Sequence, residues 1–580
     1  MALALFAFIY LFERKVPSSA ERNTAPRLLP GVAPQEITAI EVAFTNGAVV
    51  RAEQTNGTWF LTKPGYPAQQ SDLERFVTNI VRLRRLDKIA NHEVAIQGQN
   101  SFGLDPVRAK LLIETATNRF QFEVGGPAPL TSNIYVRVLP TNQVVMTEGD
   151  LLESLPKDTN DWRSEQLLQW SSLKFDHLQV RTGQRGFELG QNWTNNLWQI
   201  TRPIPARGDQ LQISSLFDQL SRAQVSRFIA DGPVDLERYG LATPDVELGF
   251  SDGTNRFLTV QFGGRATNET NHVYARLLGN SNLVTVSRDL VEFLKQPYKA
   301  FHDPRLMTMD NIAALDRIRV KFLEEFVLQR QADAKWTVTA KETFPADLEL
   351  LGEFVNKLFR LRILDIAKEV PTEADLQALG LLKPAVTFSL FQRVTNAPNA
   401  ITNTLYSELA FGTNTADRIH ASRSDETPVY ITEFAKFLEL PRAAYELRDR
   451  QIWNFPTGNV VRVSLVTGGT TNTATRNGAS WSTDPVANEA VGEAVFRLGD
   501  LKALRWVAQS EERKKSLAIG TEMLEVEIKA DNASEVRRIP LGKVTMQRNV
   551  YAEHPQVNAL IFEFPGEIYH LLKQNLPAAK

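Results

Sequence analysis

Seven histidines are the side chains of this chain best suited to move protons or bind a metal ion near neutral pH. No two of them have the spacing His-x-x-x-His, which would put two imidazoles on one face of a helix. We therefore predict that each is a surface or loop residue and not a metal ligand. They are His92, His177, His272, His302, His420, His554 and His570.

Neighbouring carboxylates occur as Glu324-Glu325 and Glu511-Glu512. Adjacent residues point to opposite sides of a strand and diverge on a helix, so neither pair suits a two-carboxylate glycosidase. Glu511 also begins a run of five charged residues of both signs, which predicts a solvated loop. Cysteine is absent, and this excludes disulfides, thiolate metal sites and a cysteine nucleophile.

Motifs for phosphate binding and for a serine nucleophile are missing as well. Gly542-Lys543 lacks both the upstream glycine and the following Ser/Thr of a P-loop, and neither Gly-x-Gly-x-x-Gly nor Gly-x-Ser-x-Gly occurs. The net charge is −2 over 580 residues, so the chain has no basic character that would favour nucleic acid. We expect no catalytic residue, no cofactor site and no metal site.

A glycine-leucine turn recurs along the chain and indicates how it is organised. The turn reads Phe102-Gly103-Leu104-Asp105-Pro106, then Tyr239-Gly240-Leu241-Ala242-Thr243-Pro244, then Leu379-Gly380-Leu381-Leu382-Lys383-Pro384. Gly103 and Gly240 are 137 residues apart, and Gly240 and Gly380 are 140 apart. Glycine accepts positive φ in a turn, and proline suits the start of a strand, so these positions are predicted to maintain the fold. Four tryptophans have nearly the same spacing: Trp59, Trp198, Trp336 and Trp481.

Around each turn the sequence predicts a small meander of strands, a helix, a second group of strands and a short closing helix. The fourth copy is degenerate, because it lacks the Gly-Leu pair and the proline, and Gly520 is assigned to its turn. The predicted fold class is α+β, a tandem array of four similar modules. Each module is a mainly antiparallel β-sheet with one longer and one short helix. Atypical terminal copies are expected in repeat arrays.

The first twelve residues form an apolar run that ends at Glu13-Arg14-Lys15. Twelve residues are too few to span a bilayer, which takes about 20. Because no basic residue precedes the run and no cleavage site follows it, a signal peptide fits poorly. We interpret the run as the C-terminal part of a membrane anchor; a signal peptide and a buried helix of a soluble protein are the alternatives. Taken alone, Arg14 and Lys15 would favour a cytoplasmic position for the C-terminal side of the anchor, and basic residues on its other side would reverse this orientation.

The predicted organisation follows from the repeats and from the prolines Pro17, Pro26, Pro30 and Pro34, which indicate an extended tether. Between modules, three arginine-bearing joints are predicted at 161–168, 302–306 and 447–452. The boundaries are 1–15 for the partial anchor, 16–35 for the tether, 36–170, 171–308 and 309–454 for three modules, and 455–580 for the degenerate fourth.

With the modules laid out, the chain resembles the bacterial DUF4340 family, a domain of unknown function. The resemblance rests on the strand with Trp59 and on the first two turns with the strands that follow them. Those strands carry Val124-Gly125, Tyr135-Val136-Arg137, Phe262-Gly263 and Tyr274-Ala275-Arg276. The resemblance is best over residues 36–310 and weakest in the fourth module. It implies a membrane-anchored, extracytoplasmic, β-rich protein associated with ABC-2-type export systems, and it transfers no catalytic residue.

We expect a non-enzymatic accessory protein, held at the cell membrane by one N-terminal anchor, whose periplasmic modules bind transporter subunits. One alternative is an envelope module that binds glycan or peptide through aromatic grooves, which exposure of Trp59 and its equivalents would favour. A second alternative is a hydrolase with a site between modules, in which His302 would be a candidate residue. No nucleic-acid partner is expected.

Overall fold

The computed structural model describes residues 25–63, 65–267, 269–279, 282–309, 311–397, 400–530 and 533–578. The chain divides into two compact units, Met1–His302 and Asp303–Lys580. Large antiparallel sheets dominate both units. The predicted α+β class and the repetition of one β-rich architecture are confirmed. The predicted anchor, residues 1–15, lies outside the described residues.

Repeat 1 is a nine-stranded sheet with the strand order β4-β3-β2-β1-β6-β7-β8-β9-β5. Strand β1, the fourth in this order, pairs antiparallel with β2 on one side and with β6 on the other. The elements are β1 Ile37–Phe44, β2 Val49–Thr55, β3 Thr58–Lys63, β4 Gly65–Pro67, α1 Gln70–Arg82, β5 Asp87–Lys88, α2 Asn91–Gln97, β6 Ala109–Thr115, β7 Arg119–Pro127, β8 Asn133–Leu139, β9 Gln143–Glu148 and α3 Asp150–Ser154.

Repeat 2 has the same strand order, β13-β12-β11-β10-β15-β16-β17-β18-β14. Its elements are β10 His177–Thr182, β11 Arg185–Asn192, β12 Leu197–Arg202, β13 Ala206–Arg207, α4 Gln210–Ser221, β14 Val225–Ala230, β15 Val246–Asp252, β16 Asn255–Ala266, β17 Glu269–Leu277, β18 Leu283–Ser287 and α5 Arg288–Leu294.

Repeat 3, in the second unit, repeats the order as β22-β21-β20-β19-β24-β25-β26-β27-β23. Its elements are β19 Leu315–Lys321, β20 Glu325–Arg330, β21 Trp336–Thr339, β22 Thr343–Pro345, α6 Leu348–Phe359, β23 Asp365–Lys368, α7 Glu373–Ala378, β24 Val386–Ala397, β25 Ala400–Asn414, β26 Arg418–Arg423, β27 Val429–Glu433 and α8 Phe434–Phe437.

The fourth sheet has eight strands in the order β31-β30-β29-β34-β35-β36-β37-β33, beside a two-stranded sheet of β28 and β32. Its elements are β28 Gln451–Asn454, β29 Val460–Thr467, β30 Thr470–Asn477, β31 Ser480–Trp481, α9 Pro485–Leu498, β32 Asp500–Lys502, β33 Trp506–Gln509, α10 Glu511–Ser516, β34 Glu522–Ala530, β35 Ala533–Val544, β36 Val550–Glu553, β37 Leu560–Phe564 and α11 Gly566–Asn575.

Each sheet buries one face against its long helix. In α1 the residues with helical spacing, Leu73, Phe76 and Ile80, are buried against Ile40 and Val42 of β1. This spacing places apolar side chains on one stripe of the helix, and burying that stripe drives its packing onto the sheet. Because the other three large sheets have cores of the same kind, the described chain contains four large cores.

The start of repeat 1 differs from the prediction. Residues 25–35, assigned to a tether by their prolines, are packed: Leu28 and Leu29 are fully buried in the core. Their backbone pairs with the chain after α1, since the Leu28 N–H donates to Leu83 O at 2.7 Å and the Arg85 N–H donates to Pro26 O at 2.8 Å. The tether interpretation is therefore wrong for this stretch, which we call the opening strap.

Equivalent straps begin the other copies, so the predicted module boundaries lie several residues too late. Leu167 and Leu168 belong to the core of repeat 2, Leu306 and Met307 to that of repeat 3, and Trp453 to that of the fourth sheet. Each strap bridges to the chain that follows the long helix, in the pairs Arg27↔Arg84, Gln166↔Gln224, Arg305↔Arg362 and Gln451↔Lys502. The straps belong to the following copy because their apolar side chains are buried there.

Short elements also escaped prediction. The edge strands β5, β14, β23 and β33 are two to six residues long, and the helices α2, α7 and α10 precede the turn in three copies. Those copies therefore have a third helix. The charged run from Glu511, predicted as a loop, is helix α10, and the Ser510 hydroxyl caps it by accepting from the Arg513 N–H at 3.3 Å. A cap and a few favourable residues suffice for one short helix once it is packed.

The glycine-leucine turn docks on a strand of its own sheet. Gly103, Gly240 and Gly380 have φ of +64°, +67° and +70°. The residue before each glycine presents its carbonyl to a second glycine on the facing strand; a Cβ on Gly263, for example, would lie 2.4 Å from Tyr239 O. The leucine that follows is buried in all three copies: Leu104, Leu241 and Leu381. Pro106 is exposed, and Pro244 and Pro384 are half-buried where the next strand begins.

The fourth sheet keeps this contact without the turn glycine. Leu517 O accepts from the Lys543 N–H at 3.0 Å, as Tyr239 O accepts from the Gly264 N–H at 2.8 Å. A Cβ on Gly542 would lie 2.6 Å from Leu517 O. Ala518, at φ +53°, therefore occupies the turn position. Assigning Gly520 to it was wrong, and the turn is retained in shape although its sequence signature is lost.

We expect Ala518→Gly to stabilise the second unit by about 0.5–1 kcal/mol. Glycine removes the strain of a Cβ at positive φ, which costs about 1–2 kcal/mol. Part of this gain is lost because glycine increases the conformational entropy of the unfolded chain. Urea denaturation followed by pulse proteolysis measures the change. Ala490→Gly, inside α9, is the control and should destabilise by about 1 kcal/mol. Equal destabilisation by both changes would contradict the assignment of Ala518.

Candidate functional site at the joints between sheets

The repeated tryptophans are part of the packing. Trp59 and Trp481 are buried, with 2% and 5% of their surface exposed, and Trp198 and Trp336 are half-buried. Trp198 lies among aromatic rings, with its centroid 4.9 Å from that of Phe217. The buried rings of Trp59 and Trp481 offer no surface on which a sugar could stack. The exposure of Trp59 that would favour the glycan-binding alternative is therefore not observed.

A glutamine at the start of the long helix fixes two of these tryptophans. The Gln70 side chain accepts from the Trp59 N–H and donates to Trp59 O, both at 2.8 Å. Gln210 makes the same two bonds to Trp198, at 3.1 and 2.7 Å. The backbone of β3 and β12, where each extends past its short outer neighbour, is thereby satisfied by a side chain, which is a structural role. Nothing in the sequence marked these glutamines as partners of the tryptophans.

The histidines are spread over the described structure. His302 and His554 are buried, contrary to the surface positions predicted for them. His177 accompanies the buried Asp176, with Nδ1 2.6 Å from Oδ1. In the described part of the chain, no three His, Asp or Glu side chains gather in a group that could hold a metal ion.

The first joint contains Arg163, a fully buried arginine of the N-terminal unit. After α3 the chain runs beside β4 as an added strand, with Ala68 bridged to Arg163. The Gln69 N–H donates to Trp162 O, and the Ser164 N–H donates to Pro67 O, both at 2.9 Å. Successive side chains on a strand point to opposite sides. Trp162 accordingly packs into the core of repeat 1, while Arg163 extends to repeat 2.

Arg163 forms a bidentate ion pair with Asp231 across this joint. Its two terminal nitrogens donate to the two carboxylate oxygens of Asp231 at 2.6 and 2.5 Å. None of the Arg163 side chain is exposed, whereas 41% of the Asp231 side chain is. Its guanidinium carbon lies 4.8 Å from the ring centroid of Phe228 and 5.7 Å from that of Tyr66. Only a planar, bidentate cation can satisfy the carboxylate and stack on the rings at once.

The electrostatics of the joint agree with this geometry. The Arg163 hydrogen bonds, with a further one from Asn282 at 3.0 Å, hold the pKa of Asp231 below its ordinary value against the effect of burial. Burial raises the pKa of Tyr66 to about 12, and the nearby Asp231 carboxylate adds to this effect. Both groups therefore keep one charge state at neutral pH. The cluster joins two sheets and has no group prepared for proton transfer.

A second joint in the other unit is built in the same way. Ala346 is bridged to Arg448, whose guanidinium lies 4.4 Å from the ring centroid of Phe344. The Trp506 indole N–H donates to Arg448 O at 2.9 Å. Phe344 precedes the bridged alanine by two residues, as Tyr66 does in repeat 1. Both joints therefore place an arginine over an aromatic residue of the preceding sheet, and an aromatic residue of the next edge strand contacts the guanidinium of Arg163 and the backbone carbonyl of Arg448.

Arg450 reinforces this second joint. Its guanidinium donates to Asp347 at 2.7 Å and to Glu349 at 2.5 Å. Asp347 also caps α6 by accepting from the Glu349 and Leu350 N–H groups. Burial alone would raise the pKa of Asp347, but the hydrogen bonds from Arg450 and the backbone outweigh it and lower the pKa. Sequence reasoning located the arginines of both joints; their acidic and aromatic partners had no local signal.

His554 lies near the second joint and predicts a pH dependence of the second unit. Burial, helped by the charge of Arg448, lowers the pKa of His554 to about 4, below the ordinary value near 6.5. The unfolded chain therefore binds a proton that the folded chain rejects as the pH falls from about 6.5 to 4. Stability is complete above pH 6.5 and decreases below it, by up to about 3 kcal/mol.

His554→Gln should remove this part of the pH dependence, because glutamine can still accept from the Gln556 N–H, 3.1 Å from His554 Nδ1, but does not titrate. The measurement is the urea midpoint of the second unit for both proteins between pH 7.5 and 4.5. His92→Gln, at an exposed position on α2, serves as the control. Parallel curves for wild type and His554→Gln would contradict the prediction.

An apolar groove opens on the fourth sheet between α9 and the start of α11. It has a volume of about 710 Å³ and is lined by Phe455, Phe496, Leu504 and Pro565, among others. Phe496 is 69% exposed and Leu504 46%. Counted from the residue bridged to the strap, the positions equivalent to Phe496 are polar: Thr78, Asp218 and Asn356. Grooves at the corresponding place in repeats 1 and 2 are lined by polar residues such as Asn79 and Asp218, so the exposed phenylalanine distinguishes the groove of the fourth sheet.

These features define a class, a repeat protein of nine-stranded antiparallel sheets joined by stacked arginines. The sequence matches the family described as "Domain of unknown function (DUF4340)" over residues 59–194, 198–384 and 336–517. Together these matches span most of the chain, which belongs to this family. Each match starts at a repeated tryptophan: Trp59, Trp198 and Trp336.

Other comparisons add little. No curated protein matches the chain. A crystal structure of the DNA polymerase sliding clamp from Pseudomonas aeruginosa with ligand is 8% identical and covers 69% of this chain and 93% of that chain, with a TM-score of 0.13. At that score the likeness carries no argument. Among the residues that the structure describes, no helix combines the length and apolar character needed to cross a membrane.

Proposed function

We propose that this protein is a non-enzymatic interaction protein of the bacterial envelope, anchored by its N-terminal segment and binding subunits of an ABC-2-type export system. The observation that carries the proposal is the use of buried charge. Arg163–Asp231 and Arg450–Asp347 join one sheet to the next. Charged side chains used in this way stabilise a scaffold. A scaffold protein functions by binding partners on its surface.

The proposal includes a fourth module. The fourth sheet keeps the order of the repeats from its second strand onward and lacks only the short first strand. It also keeps the strap, the docked turn at Ala518 and the edge strand β33. A diverged terminal copy is expected where one face of the array must differ from the others.

Affinity purification of the full chain from membranes tests this function. We expect the protein to stay with the membrane fraction through a high-salt wash and to bring transporter subunits with it. Arg163→Ala, which disturbs only a joint, is expected to reduce yield but not to change the set of partners. Recovery in the soluble fraction, or purification with no partner after cross-linking, would contradict it.

A peptide-binding module is the second candidate, favoured by the groove around Phe496. Exposed aromatic and aliphatic side chains in a groove are typical of sites that bind an apolar segment. Phe496→Asp should then abolish binding of the partner while leaving the urea midpoint within about 0.5 kcal/mol, because the side chain is exposed. Unchanged partner recovery would remove this candidate. The hydrolase alternative finds no support at His302, which is buried with its backbone bridged to Gly208.

A further inference from the structure

The exposed edge of repeat 1 carries a cluster of cations next to the opening strap, which we call the basic edge. It consists of Arg27, Arg82, Arg84, Arg85 and Lys88. Arg27 and Arg84 are bridged, so their side chains lie beside each other. Arg82, Arg27 and Lys88 are exposed, whereas Leu83, between Arg82 and Arg84, is buried. None of the five forms an ion pair with an acid among the described residues.

Hydrogen bonds hold two of these arginines against the strap. Arg84 donates to Ala25 O at 2.8 Å and Arg85 to Leu28 O at 3.3 Å. The Arg85 Nε is buried without a hydrogen-bond partner. The acids nearby are Asp87, Glu93 and Glu148, and Glu148 is already engaged by the Arg84 N–H at 2.8 Å. The edge therefore has an excess of positive charge that the described structure does not neutralise.

Comparison of the copies shows what this edge does elsewhere. The strap is bridged to residue 84 in repeat 1, to 224 in repeat 2 and to 502 in the fourth sheet. Four residues further on lie Lys88, Phe228 and Trp506. Phe228 contacts Tyr66 and Arg163 of the preceding repeat, and Trp506 donates to Arg448. The position thus carries a docked aromatic residue in repeat 2 and in the fourth sheet, whereas repeat 3 has Ile366 there and repeat 1 has a lysine.

We infer that the basic edge of repeat 1 docks on the anionic headgroups of a lipid bilayer. The inference rests on the proposed N-terminal anchor, since the apolar run 1–12 ends 13 residues before Ala25. Thirteen extended residues reach at most about 45 Å, which keeps this edge near the surface that the anchor would enter. Cations beside an anionic surface are attracted to it within a Debye length.

An exposed apolar side chain beside the basic edge favours a membrane over a soluble polyanion as its binding partner. Helix α2 begins three residues after Lys88 and carries Ile96, which is 81% exposed. A cationic edge with an apolar residue beside it matches the interfacial region of a bilayer, where charge meets headgroups and an aliphatic group enters the acyl boundary. An acidic protein partner would be attracted by the cations but gives no reason for Ile96.

The test compares sedimentation of the full chain with phosphatidylcholine vesicles and with vesicles containing one-third phosphatidylglycerol. The anchor contributes to both, so retention on phosphatidylcholine tests the proposed function, and the gain from phosphatidylglycerol tests the basic edge. The variant is Arg27→Gln/Arg82→Gln/Lys88→Gln, whose side chains are exposed. Its matched control, Arg185→Gln/Lys341→Gln/Lys515→Gln, removes the same charge at exposed positions in other copies.

We expect the edge variant to lose roughly 30- to 100-fold of the affinity gained from phosphatidylglycerol, and the control to lose less than about threefold. The difference should vanish at about 1 M salt, where the Debye length is about 3 Å. Equal losses in both variants, or no loss in the edge variant, would overturn the inference. So would a normal gain on vesicles combined with loss of a protein partner from membranes.

The absence of cysteine allows a second readout. An environment-sensitive dye on Ile96→Cys should shift to the blue on vesicles that contain phosphatidylglycerol. The same dye on Thr62→Cys, exposed on β3 near the opposite end of the sheet, should not shift. A shift at both positions or at neither would overturn the orientation inferred for repeat 1.

Discussion

Replacing Arg163 by alanine is expected to destabilise the N-terminal unit by about 2–4 kcal/mol. Removing one partner of a buried ion pair typically costs about 3–5 kcal/mol. Because 41% of the Asp231 side chain is exposed, water screens the carboxylate left behind, and we lower the expectation accordingly. The substitution also removes the cation that lies over Phe228 and Tyr66.

Urea denaturation with pulse proteolysis, with fragments assigned by mass spectrometry, measures this loss in the unit that contains the joint. In a double-mutant cycle, Arg163→Ala with Asp231→Ala should cost less than the sum of the single changes, by about 1–3 kcal/mol. Arg222→Ala is the control. It breaks an exposed pair with Asp218, 79% and 68% exposed, and should change stability by less than about 0.5 kcal/mol. Similar effects of Arg163→Ala and Arg222→Ala would show that the joint does not stabilise the unit.

The stability that Asp231 contributes at the same joint is expected to depend on pH. The pKa of Asp231 is held below its ordinary value in the folded chain, so its contribution is complete above the unfolded value near 4. That contribution is lost as the pH falls through the lower, folded value. The stability difference between wild type and Asp231→Asn should therefore shrink on acidification below about pH 4.

Gly240→Ala is expected to destabilise the N-terminal unit by about 2–5 kcal/mol. An alanine at φ +67° costs about 1–2 kcal/mol. Its Cβ would also lie 2.6 Å from Gly264 N, a backbone atom that cannot move without losing its 2.8 Å hydrogen bond to Tyr239 O. Overpacking of this kind adds about 1–3 kcal/mol.

Gly380→Ala is the matched control in the other unit. Its φ is +70°, but the nearest atoms to an added Cβ lie at 3.4 Å and one of them is a side-chain methyl of Thr413. Only the conformational cost of about 1–2 kcal/mol should remain. Gly103→Ala, with a Cβ 2.4 Å from Gly126 N, should behave like Gly240→Ala. If all three changes cost the same, the close contact between turn and strand does not contribute.

Residue pattern predicted the regular parts of this fold well. The sequence predicts one longer helix in each module, and the structure has α1, α4, α6 and α9. Apolar residues at helical spacing recur only where one helical face is buried, so this pattern indicates a buried helix. Long strands were predicted correctly because apolar and polar residues alternate along them. Short edge strands such as β5 were missed because a strand of two residues is too short to show an alternating pattern.

Prolines and lost glycines misled the prediction in two places. The strap of repeat 1 was interpreted as a tether because proline disfavours regular structure, but Leu28 is buried in the core and its backbone pairs with Leu83, 55 positions away. Ala518 was overlooked because alanine rarely adopts positive φ. There the conformation is imposed by Gly542 and the hydrogen bond to Leu517 O, which are contacts of the folded sheet.

The sequence by itself determined the repeat, its length, the family and the positions of the arginines at the joints. Those properties are written in local spacing and in residue types that recur. The tertiary structure alone decided which acid and which ring each arginine meets. Arg163 finds Asp231 at a separation of 68 residues, and the choice depends on how one sheet edge packs against the next strap. A buried charge needs a partner of opposite charge, and the tertiary structure decides which residue that is. The order of residues along the chain does not indicate it.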